Sequence, residues 1–103
     1  FQLIRQMIAE MAMEIDAGRL LVYRAADLMD RGENPVLAIS MAKLYTAKMV
    51  MKAADHAVQI HGGYGYSGEY PVERYFRDAK ICGIYEGTNQ IQTLIIAREV
   101  LGM

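Results

Sequence analysis

Asn34-Pro35-Val36-Leu37-Ala38-Ile39-Ser40-Met41-Ala42-Lys43-Leu44-Tyr45-Thr46-Ala47-Lys48-Met49-Val50-Met51-Lys52-Ala53-Ala54-Asp55-His56-Ala57-Val58-Gln59-Ile60-His61 is the stretch on which the fold turns. Asn34-Pro35 reads as a helix start, with Asn as the cap and Pro at the first helical position, where its missing N–H costs nothing. The helix then runs to about His61. Its polar stripe is narrow, chiefly Lys48, Lys52, Asp55 and Gln59 at steps of four, three and four, and the rest is mostly Ala, Met, Val, Ile and Leu. A helix apolar over most of its circumference must be buried on more than one side. In a chain of 103 residues, another subunit or a further domain is expected to supply part of that cover. Met41, Met49 and Met51, among eight methionines, suit adaptable packing there.

Upstream, Phe1, Ile4, Ile8, Met11, Ile15, Gly18, Val22, Ala25 and Met29 recur at alternating steps of three and four. This is the heptad-like seam of one long helix, from Phe1 to about Met29. At 1.5 Å per residue it would extend ~45 Å, a length that needs partner helices. Gly18 falls in the seam, where a missing side chain lets another helix approach closely. Glu10, Glu14, Asp16 and Arg19 are expected off it, on a solvated or interface face. Because Phe1 already stands inside a helical pattern, the sequence is expected to be a piece of a larger protein with earlier domains before it.

Downstream, Gln59-Ile60-His61-Gly62-Gly63-Tyr64-Gly65-Tyr66-Ser67-Gly68 closes the central helix in a glycine-rich loop. The residues leave two readings open: Gly62 or Gly63 as a left-handed helix stop, or a backbone bare enough to approach a diphosphate closely. The glycine spacing is not that of a dinucleotide-binding strand–turn–helix, and no strand precedes it. Pro71-Val72 opens a short third helix with Val72, Tyr75, Phe76 and Ala79 on its inner side. Arg77 and Asp78 are expected to be structural pairing or capping groups. A final helix from Asn89 to about Leu101 offers Ile91, Leu94, Ile95, Ala97 and Leu101 to the core, with Gln90 and Gln92 free near its start. Two long and two shorter helices with short connections predict an all-α fold, an antiparallel four-helix bundle, as a single domain over residues 1–103.

Composition narrows the partners. With 53% hydrophobic residues the chain can bury a core, and a net charge of -1 from 11 basic and 12 acidic residues leaves no electrostatic footprint for nucleic acid or an anionic membrane. No apolar run approaches the ~20 residues of a membrane span. The single cysteine, Cys82, cannot form an internal disulfide, which fits a reducing compartment, and its apolar neighbours suggest a buried inert thiol. No metal site is expected.

Ile84-Tyr85-Glu86-Gly87-Thr88-Asn89-Gln90-Ile91-Gln92 is where chemistry is expected. Glu86 is a lone carboxylate between an apolar run and a helix start that Thr88 or Asn89 can cap. Desolvation would raise its pKa and a helix N-terminus would lower it, an environment suited to a general base. The same residue also reads simply as an acidic complement to the helix dipole.

Three blocks together resemble one family. Tyr85-Glu86-Gly87-Thr88-Asn89-Gln90-Ile91-Gln92 with Ala97-Arg98-Glu99 is similar to the C-terminal catalytic segment of the acyl-CoA dehydrogenases. Gln59-Ile60-His61-Gly62-Gly63-Tyr64-Gly65 and Arg74-Tyr75-Phe76-Arg77-Asp78-Ala79-Lys80-Ile81 resemble the segments that precede it there, in order and over essentially the whole chain. The resemblance implies the C-terminal domain of an FAD-dependent enzyme that desaturates acyl-CoA thioesters. In that reading Glu86 removes the α-proton while the β-hydrogen leaves as hydride to the flavin. The thioester oxygen would be held by the Glu86 N–H and a flavin ribityl hydroxyl.

Residue by residue, the resemblance assigns Tyr85 and Gly87 to substrate contact. It assigns Phe1, Gln2, Thr88, Asn89, Gln90 and Arg98 to FAD, and Gln59, Ile60, His61, Gly62 and Gly63 to the adenosine diphosphate part of an FAD held by a neighbouring subunit. A Glu at position 86 favours the short-chain, medium-chain or short-branched type. The implied partners are an acyl-CoA substrate, further copies in a dimer or tetramer, and electron-transfer flavoprotein as electron acceptor, in a bacterial cytoplasm or mitochondrial matrix. An acyl-CoA oxidase of the same fold is an alternative, as is a helical oligomerisation module without chemistry.

Overall fold

The computed structural model describes residues 1–103, all helix and short connections: α1 Gln2–Asp30, α2 Val36–His61, α3 Gly63–Tyr66, α4 Val72–Lys80, a 3₁₀ turn Ile81–Gly83, and α5 Asn89–Leu101. The start of α2 falls one residue later than its sequence signal, with Pro35 as the cap and Val36 as the first helical residue. Asn34 Oδ1 accepts from the Val36 N–H at 3.1 Å, and the Pro35 carbonyl takes the first helical bond, from Ile39 at 2.8 Å. At the far end Gly62 turns the chain at φ +63°, a conformation that suits glycine. The glycine-rich segment beyond is not all loop, since Gly63–Tyr66 forms one turn of helix. Four residues are too few for a periodic signal. Gly65 lets this turn lie on α2, because a Cβ there would stand 2.5 Å from the Val58 carbonyl oxygen.

α2 is the centre of the bundle. α1, α4 and α5 each pack on it and scarcely on one another. All three run against its direction. Along α1, Glu14 faces Lys52 and Gly18 faces Met49. Phe76 of α4 lies beside Val58 and Ala79 beside Ala47, while α5 passes from Ala47 at Asn89 to Met41 at Ile96. Beyond its first turn, α2 is exposed only at Lys48, Lys52, Asp55, Gln59 and the terminal His61. The narrow polar stripe is therefore real, and the chain's own helices cover the rest of α2 in part, leaving its large apolar side chains such as Met41, Leu44, Met49, Val50 and Met51 half-buried. All but Gln92 of the buried residues are small or medium-sized: Ala38, Ser40, Ala42, Ala47 and Ala54 of α2, with Gly18, Ala25, Gly65, Val72, Ala79 and Gln92 from the elements around it.

The seam of α1 differs from its expected one by a rotation. Ile4, Met11, Gly18 and Ala25 do turn inward, but Met7, Glu14, Leu21 and Leu28 complete the seam, leaving Phe1, Ile8, Ile15, Val22 and Met29 exposed. Both sets satisfy steps of three and four. In the observed rotation Lys52 Nζ bonds Glu14 Oε1 at 2.6 Å and stands 3.7 Å from Glu10 Oε2, so these carboxylates flank the helix contact instead of lying off it. The Lys52 pKa is raised, first by the Glu14 bond, and the Glu10 pKa is lowered, first by the amide of Gln6.

The later helices also show less apolar surface to the core than expected. On α4, Val72 and Ala79 are buried but Tyr75 and Phe76 are exposed; Arg77 is a pairing group as expected, bonded to Glu73 at 2.9 Å, while Asp78 makes no ion pair. On α5, Ile91, Leu94, Ala97 and Leu101 are exposed, while Gln92 is buried and Ile95 and Ile96 are half-buried. The chain thus leaves its most exposed apolar faces on α1 and α5.

Gly18 carries the α1–α2 crossing. A Cβ there would lie 3.2 Å from both Thr46 Cγ2 and Met49 Cε, and Thr46 is fixed by its hydroxyl bond to the Ala42 carbonyl at 2.7 Å. Gly18→Val is expected to destabilise the fold by about 1–3 kcal/mol in urea unfolding, the usual range for overpacking. An unchanged midpoint would mean that the crossing has slack.

Candidate active site

The segment from Ile81 to Gln92 is built from the backbone upward. Ile81 accepts from the N–H groups of Ile84 at 2.9 Å and Tyr85 at 3.1 Å, closing the 3₁₀ turn. Glu86 then sits at φ +55°, the one non-glycine residue at positive φ, and Gly87 follows at φ +92°. Thr88 caps α5, its Oγ1 accepting from the Ile91 N–H at 3.2 Å. A left-handed glutamate costs about 1–3 kcal/mol and persists only where its surroundings hold it.

Two side chains do the holding. Lys43 Nζ donates to the carbonyls of Cys82 and Gly87, the latter at 3.2 Å, and lies 5.8 Å from the centre of the Tyr85 ring. Gln92 Nε2 makes longer contacts to the carbonyls of Glu86 and Gly87, at 3.5 and 3.4 Å. Gln92 is therefore engaged and buried, not free. The Glu86 and Gly87 N–H groups donate to nothing within the chain. Lys43 was not among the expected site residues. One signal does mark it: a cation standing outside the stripe of Lys48, Lys52, Asp55 and Gln59, on the apolar side of α2.

The Glu86 carboxylate is exposed and makes no ion pair. The partly desolvated setting expected for it is not supplied by this chain, since Ile84 and Tyr85 are exposed as well. Cys82 is half-buried rather than enclosed, with Sγ 4.0 Å from the Tyr85 hydroxyl. The Tyr85 pKa is raised, first by the hydrogen bond with Cys82, then by the nearby charge of a Cys82 thiolate, by burial and by the charge of Glu86.

The remaining candidates fall into two groups. Thr88, Asn89 and Gln90 stand beside Glu86. The Thr88 hydroxyl is engaged as a cap, the Asn89 amide turns in against Gly83 with its Oδ1 buried and unpartnered, and Gln90 faces out. Arg98, toward the end of α5, is exposed with one nitrogen 3.7 Å from the Glu99 carboxylate. The second group is at the far end of α2, where the antiparallel course of α1 also brings its first residues, Phe1 and Gln2. Gln59, His61, Gly62 and Gly63 are exposed there and Ile60 is half-buried. His61 Nδ1 is 2.7 Å from the Ala57 carbonyl, so that nitrogen carries the proton. A Cβ at Gly62 or Gly63 would meet nothing within 4 Å, so the backbone is open to close approach. From Lys43 to Gly62 the path along α2 is ~28 Å at helical rise, so the groups are well separated.

The family described as acyl-CoA dehydrogenase, C-terminal domain, matches residues 1–101. The chain is 52% identical to cyclohexane-1-carbonyl-CoA dehydrogenase of Geobacter metallireducens over 100 residues, covering 97% of this chain and 26% of that protein. It is 50% identical over 101 residues to the caffeyl-CoA reductase-Etf complex subunit CarC of Acetobacterium woodii, covering 98% of this chain and 27% of that one. The structure of butyryl-CoA dehydrogenase from Megasphaera elsdenii superposes with a TM-score of 0.95 at 46% identity, over 98% of this chain and 26% of that one. The chain thus spans about a quarter of the length of these relatives.

Proposed function

The chain belongs to the acyl-CoA dehydrogenase family as its C-terminal domain, and from that premise we propose that the protein containing it desaturates an acyl-CoA thioester between Cα and Cβ. Glu86 acts as the base that takes the α-proton. FAD, when bound, supplies the acceptor for the β-hydride. Charge that develops on the thioester oxygen requires donors already aimed at it, and the Glu86 N–H, which has no partner in the chain, is available as one. The observation that carries this reading is the Glu86–Gly87 backbone, held left-handed with its carbonyls bound and its N–H groups free, presenting an unpaired carboxylate. A carboxylate that only complemented a helix dipole would need no such strain.

The open backbone at Gly62 and Gly63 fits a diphosphate approached at close range. In this reading Gln59, Ile60, His61, Gly62 and Gly63 hold the adenosine diphosphate part of FAD in a neighbouring copy, with Phe1 and Gln2 as further flavin contacts. Gln90 and Arg98 are the outward-facing contacts near Glu86, with Thr88 and Asn89 at its backbone and Tyr85 and Gly87 toward substrate. The ~28 Å between the two groups supports service to different cofactors and hence a homo-oligomer. The exposed stripe of Ile8, Ile15, Val22 and Met29 on α1 gives such an assembly an apolar face. Sedimentation of the full-length protein is expected to show a dimer or tetramer; a monomer at all concentrations would refute that part. A relative named as part of a reductase–Etf complex supports electron-transfer flavoprotein as the electron acceptor. The Glu at position 86 favours short-chain, medium-chain or short-branched substrates.

The test is an absorption spectrum of the full-length protein before and after anaerobic addition of short- and medium-chain acyl-CoA. Bound flavin that bleaches on addition is expected, and a folded, colourless protein would overturn the reading. Gly63→Val separates the flavin role of the loop from its helix-stop role. Its Cβ meets nothing in the chain, so flavin-free stability should change by no more than about 0.5 kcal/mol, as for an ordinary surface change. Flavin occupancy should fall several-fold on the same preparation. Equal losses of stability and occupancy would leave the glycine a helix stop only.

A further inference from the structure

We infer that Lys43, together with Gln92, is a positioning residue for the reaction proposed above, clamping the carbonyls of the segment that carries Glu86. The inference rests on the reading of Glu86 as the base. Lys43 Nζ ties the Cys82 carbonyl to the Gly87 carbonyl, the two ends of the segment, and so closes residues 82–87 into a loop pinned to α2. Gln92 binds the same loop from α5 through the Glu86 and Gly87 carbonyls. Both anchors come from helices, which hold a site more rigidly than loops do.

The direction of the pinning matters for chemistry. There are no cis peptide bonds, and in a trans peptide the N–H points opposite to the carbonyl. Binding the Glu86 carbonyl inward therefore turns the Gly87 N–H outward, and binding the Gly87 carbonyl does the same for Thr88. Glu86 is thereby kept at φ +55°. Released, it would relax toward negative φ, swinging its side chain and re-aiming its N–H. Lys43 is half-buried and pairs with no carboxylate. Its two hydrogen bonds are both spent on the loop, an arrangement suited to fixing geometry rather than to balancing charge.

The experiment uses the full-length protein with flavin bound, mixed anaerobically with acyl-CoA, and reads the rate of flavin reduction. Lys43→Met is expected to slow reduction about 10- to 100-fold, the scale of a misplacement near 1 Å. Flavin occupancy and the thermal midpoint should be kept. Lys43→Arg, which keeps a cationic N–H donor, should recover most of the rate. In a Glu86→Gln background Lys43→Met should cause no further loss, because a residue that acts through Glu86 has nothing left to position. If Lys43→Met does not fold, Gln92→Leu frees the Glu86 carbonyl and removes the second donor to the Gly87 carbonyl that it shares with Lys43, and must show the same slowing and the same lack of further loss on Glu86→Gln.

A wild-type rate in Lys43→Met, or a loss that multiplies in full with that of Glu86→Gln, overturns the positioning role while leaving the base in place. A wild-type rate in Glu86→Gln alone overturns the base and this inference with it. The two failures are thus told apart by which single variant stays active.

Discussion

Glu86→Gln in the flavin-bound, full-length protein is expected to slow anaerobic flavin reduction by acyl-CoA by at least ~10²- to 10⁴-fold, the contribution of one positioned acid–base group. The loss can exceed this range because hydride departure depends on the same deprotonation. Glutamine keeps the size and hydrogen-bonding capacity of the side chain but cannot accept the proton. Stability should be unaffected, since Glu86 is exposed and its carboxylate makes no ion pair that the change would orphan. Binding of acyl-CoA should change far less than the rate, because the backbone N–H is untouched; titration against the bound flavin spectrum measures it. Reduction at the wild-type rate would remove Glu86 as the base and return it to complementing the helix dipole.

Gly87→Ala strikes the same site through the backbone and should leave a different signature. Gly87 sits at φ +92°, and an added Cβ would come within 2.5 Å of Gln92 Nε2. The alanine must either displace the Gln92 amide, freeing the Glu86 carbonyl and leaving that of Gly87 to Lys43 alone, or move the backbone itself. Either response shifts the carboxylate and the Glu86 N–H together. The expected cost is on the order of 10²-fold in flavin reduction, with about 1–3 kcal/mol of stability lost to backbone strain in urea unfolding. Unlike Glu86→Gln, this variant should also bind acyl-CoA more weakly. Unchanged affinity beside a reduced rate would show that the N–H is not a donor to the thioester.

The bundle was legible where local chemistry is unambiguous. Asn34-Pro35 marks the start of α2 to within one residue, Thr88 is the one of the two candidate caps that α5 uses, and the narrow stripe of Lys48, Lys52, Asp55 and Gln59 is exposed as its spacing implies. It was not legible where two faces satisfy the same period. On α1 either Met7, Glu14, Leu21 and Leu28 or Ile8, Ile15, Val22 and Met29 completes a seam with Ile4, Met11, Gly18 and Ala25. What separates them is the fit of α1 against α2, distant in sequence, of which Lys52 reaching Glu14 at 2.6 Å is one contact.

The site divides in the same way. Glu86 and its glycine stood out because an isolated carboxylate beside a flexible residue is a local pattern. Lys43 and Gln92 did not, because their partners are backbone carbonyls of Cys82, Glu86 and Gly87, and a carbonyl carries no residue-specific mark in a sequence.

The alanine-lined course of α2 constrains how related sequences drift. Where Ala38, Ala42, Ala47 and Ala54 are buried, and where a Cβ at Gly18 would stand 3.2 Å from Thr46 and Met49, a residue gains a carbon only if its neighbour shifts or shrinks. Such positions are expected to change in compensating pairs. A lineage that acquires alanine at the place of Gly18 should carry something smaller than methionine at 49 or than threonine at 46, and an alignment in which these three positions vary independently would contradict the close crossing. The exposed stripe of α1 is under no such restriction from within the chain, so its substitutions should track whatever surface covers it.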